Sequence, residues 1–180
     1  LEEAYPGSKI LVIDSKCASL GQGMLVYLAA REKAKGKSME EVADFVRQTI
    51  PHLCHWFTLD ELNHLKRGGR VSAAAALFGT MLQIKPVLHV DNEGRLIPVS
   101  KVRGRKASVK ALLDKMEELV EDPSVVFISH GDCLEDAQGL AKSIQEKFPV
   151  AKLVINYVGP VIGNHSGPGT LALFFVGKEK

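Results

Sequence analysis

The sequence has few aromatic residues, few cysteines, no excess of one charge and no long apolar run, and each shortage excludes something. Aromatic residues are 6% of the 180-residue chain. No stacking or groove-reading motif accompanies them, so a nucleic-acid reader would lack its usual platforms. The formal charge of +2 is too small to argue for nucleic acid without local clustering. The three cysteines, Cys17, Cys54 and Cys133, are odd in number and scattered. They make no disulfide framework and suit a reducing compartment. No apolar run approaches the ~18 residues of a membrane span. The start, Leu1-Glu2-Glu3, is acidic, and no signal peptide is expected from it. An initiator methionine is also missing while an apolar run follows almost at once, so the sequence is expected to begin inside a longer protein. A cytoplasmic protein without a membrane span is expected.

What is present is the composition of a packed domain. Hydrophobic residues make up 46% and charged residues 24%, which excludes a disordered tail, and the length can bury a real core.

The apolar run KILVID at residues 9–14 has the continuous hydrophobicity of a strand buried on both faces. Ser19 with Gln22 is expected to cap a helix that runs to Gly36. Ser38 with Glu41 forms a second capping box, and Thr58 with Glu61 a third, the last opening a helix with Leu59, Leu62 and Leu65. Charge and two glycines break the chain at Lys66-Arg67-Gly68-Gly69-Arg70. A small, apolar helix is expected over 71–82. Strands at 84–90 and 95–99 flank Asp91-Asn92-Glu93-Gly94, a hairpin turn that puts glycine where φ > 0 is expected. A helix follows Arg103-Gly104-Arg105 and ends at Pro123. Next come a strand at 125–128, a helix capped by Asp132 with Glu135, and strands at 150–158 and 170–176. Between the last two lies a glycine- and proline-rich loop, 159–169. The order implies an α/β fold: the remnant of a wound parallel sheet domain over residues 1–83, then a smaller α+β domain with a mixed sheet over 84–180.

Four places carry candidate chemistry. Four glycines between 159 and 169 allow close backbone approach to a ligand or an anion nest, with Asn164-His165-Ser166 able to donate to a carboxylate or phosphate. The same loop also reads as a plain connection with a solvated His165. No Gly-Lys-Ser/Thr makes it a phosphate loop of the nucleotide-binding kind. The basic loops 66–70 and 101–106 interleave arginine with glycine. They suit bidentate contact with phosphate, carboxylate or an acidic partner surface, or are simply solvated turns. His52, Cys54 and His55, with His64 nearby, are ligand-type residues without zinc spacing, and no metal is expected. Cys133 lacks a partnered base for nucleophilic work. Gly21-Gln22-Gly23 after Asp14 lacks the remainder of a dinucleotide fingerprint, and no cofactor is expected.

The motifs occur in a recognisable order. VIDSKCASLGQG, LDELNHLKRGGRVS, LQIKPVLHVDNEGRLIPVSKVRGRKAS, ISHGD and GNHSGPGT together resemble the DegV family over the whole chain. That resemblance implies a two-domain bacterial protein with a long-chain fatty acid buried between its domains. It also implies a role as the binding subunit of a fatty-acid kinase. A separate ATP-using partner makes the acyl phosphate for phospholipid synthesis, and the binding subunit does no chemistry. Burial of the acyl chain is worth ~0.8 kcal/mol per CH₂. Carried onto this sequence, the resemblance puts His165, with Ser166 and Gly167, at the carboxylate. It puts Arg103 or Arg105 near the phosphate-transfer site, without choosing between them, and turns Arg67, Arg70 and Lys101 toward the kinase. The family's Asp-Ser-Thr-Ser-Asp segment and Thr/Ser-rich carboxylate loops are not in the sequence. Weak fatty-acid binding by these residues alone, and some self-association through an uncovered sheet edge, are therefore expected. The competing readings are an acyl or phosphoryl transferase using His165, and a regulatory or nucleic-acid-binding module using the two basic loops.

Overall fold

Apolar residues alternating along the strands bury both faces of one mixed sheet, and helices cover each face. The computed structural model describes residues 3–60, 62–70 and 83–180. Helices α1 (Ser19–Ala34) and α2 (Met39–Thr49) lead through a 3-10 turn, Ile50–His52, into strand β1 (Leu53–Thr58). A short α3 (Asn63–Arg67) follows, then the hairpin β2 (Ile84–Val90) and β3 (Leu96–Arg103). The remainder is α4 (Arg105–Leu119), β4 (Val120–His130), α5 (Leu134–Lys147), β5 (Lys152–Tyr157), α6 (Pro160–Ser166) and β6 (Leu171–Gly177). The strand order is β3-β2-β1-β6-β4-β5. Only β4 and β5 run parallel, joined through α5 as a βαβ unit; the other pairs are antiparallel.

Period-two alternation sorts the core. Leu53, Phe57, Phe127 and Phe174 pack with Met24, Leu25 and Val46 on the α1/α2 side. Cys54, Trp56, Ile128, Leu173 and Phe175 pack with Leu112, Met116, Leu140 and Ile144 on the α4/α5 side. This α/β architecture with a mixed sheet is the class that the element order implied. The strand β1 precedes the boundary expected near residue 83, yet it pairs with β2 and β6, which follow that boundary.

Several local expectations are corrected. Residues 9–14 form no strand. Val12 is 86% exposed and no described strand exchanges hydrogen bonds with this segment, so its apolar character does not make a sheet member of it. Thr58 caps no helix. It closes β1, and its hydroxyl donates to the Pro86 carbonyl at 2.7 Å. Ser19 is the first residue of α1, not its cap, and its hydroxyl donates to Ser129 Oγ at 3.2 Å. Cys133, not Asp132, holds the N-cap position of α5, with no side-chain cap bond. Pro123 lies within β4, where the pairing with β6 shifts register between Asp122 and Val126. A bulge accommodates a residue with no N–H to give. The loop 159–169 contains a helix, α6, started by Pro160. The helix expected at 71–82 lies outside the described residues.

Two local readings hold. Glu41 N–H donates to Ser38 Oγ at 3.2 Å and Ser38 N–H to Glu41 Oε2 at 2.8 Å, a complete capping box. Ser38→Ala is expected to cost about 1 kcal/mol, read as a lower urea midpoint; an unchanged midpoint would show that the cap contributes nothing. The hairpin turn places Gly94 at φ 80°, and Asp91 Oδ1 accepts from the Glu93 and Arg95 amides at 2.9 and 2.8 Å.

Candidate functional site: an apolar cavity on the sheet face

On the α1 side of the sheet, neighbouring strands bring His55 and Phe57 of β1 beside Ala172 and Phe174 of β6 and Ser129 of β4. The small Ala172 and Ser129 leave room above them. The start of α1 (Ala18, Ser19), Leu65 of α3, and Ile162, His165 and Ser166 of α6 roof that space. The result is a cavity of about 290 Å³, at the lower end of the ~300–1,000 Å³ found for small-molecule sites. Phe57, Leu65, Val90, Leu96, Ile162 and Phe174 make most of its wall apolar. Its polar groups are His55, His165, Ser166, Thr170, Arg70 and the Ser19–Ser129 pair.

The polar groups differ in what they have left to offer. His165 Nδ1 is buried and has no hydrogen-bond partner among the described residues. Its ring packs against Gly68, and a Cβ at that position would collide with Nδ1. Ser166 donates to the Ile162 carbonyl at 2.8 Å and Thr170 Oγ1 to the Gly167 carbonyl at 2.7 Å, so both hydroxyls present lone pairs. Gly167, at φ 78°, ends α6 and packs on His64, leaving no space for a Cβ. Arg70 spends an Nη1–H on the Gly68 carbonyl at 2.7 Å and keeps other donors. His55 is 2% exposed. Burial drives its pKa down to about 3, with repulsion from Lys180 and His89 adding to the effect, so the ring is neutral.

The other sequence-derived candidates are dispersed. Arg105 is pinned: Nε donates to Asp136 Oδ2 at 2.8 Å, Nη1 to the Gly169 carbonyl at 2.7 Å, and Nη2 to Cys133 Sγ at 3.2 Å. Arg103 ends β3 paired through its backbone with Ile84, its exposed side chain without a hydrogen-bond or ion-pair partner among the described residues and outside the cavity lining. Lys101 and Arg67 are exposed, and Arg67 Nη2 lies 3.4 Å from His64 Nδ1. Strand alternation sends Cys54 and His55 to opposite faces. The Cys54 thiol donates to the Glu179 carbonyl at 2.9 Å, and His52 Nδ1 lies 3.0 Å from the Lys178 carbonyl. Among the described residues no three His, Cys, Asp or Glu side chains group as a metal site. Burial holds the Cys133 thiol above its ordinary pKa, which removes thiolate character near neutral pH. No described helix is long and apolar enough to cross a membrane.

Sequence reasoning missed His55 and Ser129. His55 is weighed as a metal ligand and set aside, and Ser129 falls just past the strand expected at 125–128, within ISHGD and with no role given to it; only strand register puts them in one cavity.

A mixed-sheet α/β protein with an apolar cavity and a polar rim has the form of a small-molecule-binding protein. The chain belongs to the DegV family: a family model described as "Uncharacterised protein, DegV family" matches residues 1–178. A DegV domain-containing protein of Clostridium perfringens is 48% identical over 182 residues, covering 100% of this chain and 62% of that protein. The chain thus spans 62% of the length of the first curated relatives that it matches. A solved DegV family protein of Thermus thermophilus, described for its fatty acid binding, superposes with a TM-score of 0.84 at 31% identity. That match covers 96% of this chain and 62% of the other. The fatty acid kinase B3 protein of Streptococcus pneumoniae, crystallised with linoleic acid, superposes with a TM-score of 0.88 at 26% identity, covering 97% of this chain and 62% of the other.

Proposed function

We propose that this chain provides part of the binding site of a fatty-acid carrier. The carrier holds a long-chain fatty acid and presents its carboxylate to a separate ATP-using kinase, which forms the acyl phosphate used in phospholipid synthesis. The carrier itself acts in the cytoplasm and performs no chemistry. The observation that carries this reading is the apolar cavity with a buried His165 Nδ1 at its rim that has no hydrogen-bond partner among the described residues. An acyl chain gains by leaving water for such a wall, while a carboxylate needs donors at one end. His165 and Arg70 are the rim groups with donors to give. Ser166 joins them only by exchanging its bond to Ile162. The likeness to solved fatty-acid-binding DegV proteins supports the same reading.

Facing the kinase are Arg67, Lys101 and Arg103, which are exposed. Arg105, held by Asp136 and Gly169, positions the rim and does not reach the ligand.

The test is native mass spectrometry with lipid extraction on the full-length protein that carries these residues, purified from bacteria. One fatty acid per chain is expected, with affinity about tenfold or more lower in His165→Ala, the worth of one hydrogen bond to a charged group. A chain that arrives empty and takes up no added fatty acid would sink the carrier reading.

A further inference from the structure

Among the described residues, a buried imidazole with no hydrogen-bond partner stands in an otherwise apolar stretch of the cavity wall. Neither Nδ1 nor Nε2 of His55 is bonded to any described residue, although the side chain is 2% exposed. The ring meets Phe174 edge-on with centroids 5.4 Å apart, and it lines the cavity beside Phe57, Val90 and Leu96. Gly21 of α1 makes the space for it: a Cβ there would lie 2.6 Å from Nε2. Packing alone gives no reason for histidine at this position, since leucine or phenylalanine would fill the volume without two polar atoms. Burying those atoms unpaired is costly. A group that bears such a cost in a ligand cavity is poised for a ligand atom.

The chemistry of that atom follows from the state of the ring. A neutral imidazole presents one N–H donor and one lone-pair acceptor. A carboxylate matches neither property well, because it only accepts. A hydroxyl matches both, because it donates and accepts.

We propose that the cavity takes an acyl chain bearing a hydroxyl group along its length, and that His55 is the residue that recognises that hydroxyl. This rests on reading the cavity as a fatty-acid site. An unsubstituted chain enters the same cavity but leaves His55 unpaired, so selectivity is a difference between two occupants of one site.

The experiment uses the full-length protein that carries these residues, delipidated and titrated with stearic acid and with hydroxystearic acids that differ in the carbon bearing the hydroxyl. Bound ligand is read by native mass spectrometry. One hydroxyl position is expected to bind about tenfold tighter than stearic acid, the effect of one buried hydrogen bond, with the preference falling away on either side. In His55→Phe and His55→Leu the hydroxyl preference is expected to disappear, read as a ratio of hydroxystearic to stearic acid affinity that falls to about one within each variant. Equal affinity for stearic acid and every hydroxystearic acid overturns this proposal and leaves the fatty-acid reading standing. So does a preference that survives both substitutions. Binding of none of these acids overturns both.

Discussion

Arg105→Ala is expected to lower the free energy of unfolding by about 3 kcal/mol, because it leaves several acceptors behind a side chain that is mostly buried. The guanidinium, with 20% of the side chain exposed, ties together three separate parts of the chain. It joins the start of α4 to Asp136 on α5, to the Gly169 carbonyl before β6, and to Cys133 at the α5 N-cap. Asp60 after β1 stands 3.8 Å away and is shared with Lys85, whose Nζ donates to Asp60 Oδ1 at 2.8 Å. Gly104, at φ 87°, lets the chain turn from β3 into α4 and aim this side chain inward. Lysine should not rescue the loss, since an ammonium cannot reproduce the planar fork. Urea unfolding of the wild type, Arg105→Ala and Arg105→Lys measures it. A loss below about 1 kcal/mol in the alanine variant, the ordinary value of a surface ion pair, would show that Arg105 is not a structural clamp.

Gly21→Ala should destabilise by about 1–3 kcal/mol through overpacking, against the usual sign. Within a helix, replacing glycine by alanine ordinarily gains roughly 0.5–1 kcal/mol. Here the new Cβ meets His55 Nε2 at 2.6 Å, His55 Cε1 at 2.9 Å and Phe174 Cδ1 at 3.1 Å. His55 sits on a central strand and is 2% exposed, so its ring makes room only by shifting into the cavity that it lines. In a His55→Ala background the two contacts under 3.0 Å are gone and only the flexible Phe174 edge at 3.1 Å remains, so Gly21→Ala should become neutral to stabilising. A double-mutant cycle therefore reads the contact directly. If Gly21→Ala raises the urea midpoint in both backgrounds, the ring does not occupy the space under α1.

Local chemistry that is complete within a few residues was legible in the sequence. The Ser38–Glu41 box, the Asp91–Gly94 turn and the amphipathic helices α4 and α5 all depend on neighbours in sequence, and all are present. The errors fall where the same local signal serves two structures. Residues 9–14 and β1 are both short apolar runs. The run that pairs with strands on both sides became the strand, and the run with no described partner did not. Thr58 and Ser19 look like caps by spacing, but strand pairing and a contact with Ser129 claim their hydroxyls. Glycine and proline content marked 159–169 as loop, although Pro160 and the following residues complete a helix that carries His165 into the cavity roof.

The sequence by itself determined the family, the α/β class, the one helix cap that closes on itself at Ser38–Glu41, and the choice of His165 as a candidate ligand group. Tertiary structure alone decided that β1 lies in the middle of the sheet. It decided that Arg105 is held while Arg103 is exposed, and that Arg70 reaches the cavity rim. It also decided that His55, Ser129 and His165 share one cavity. The physical reason is range: a cap or a turn is settled by bonds spanning three or four residues. The cavity is settled by cross-strand register and helix packing between segments more than a hundred residues apart, and no local pattern records that.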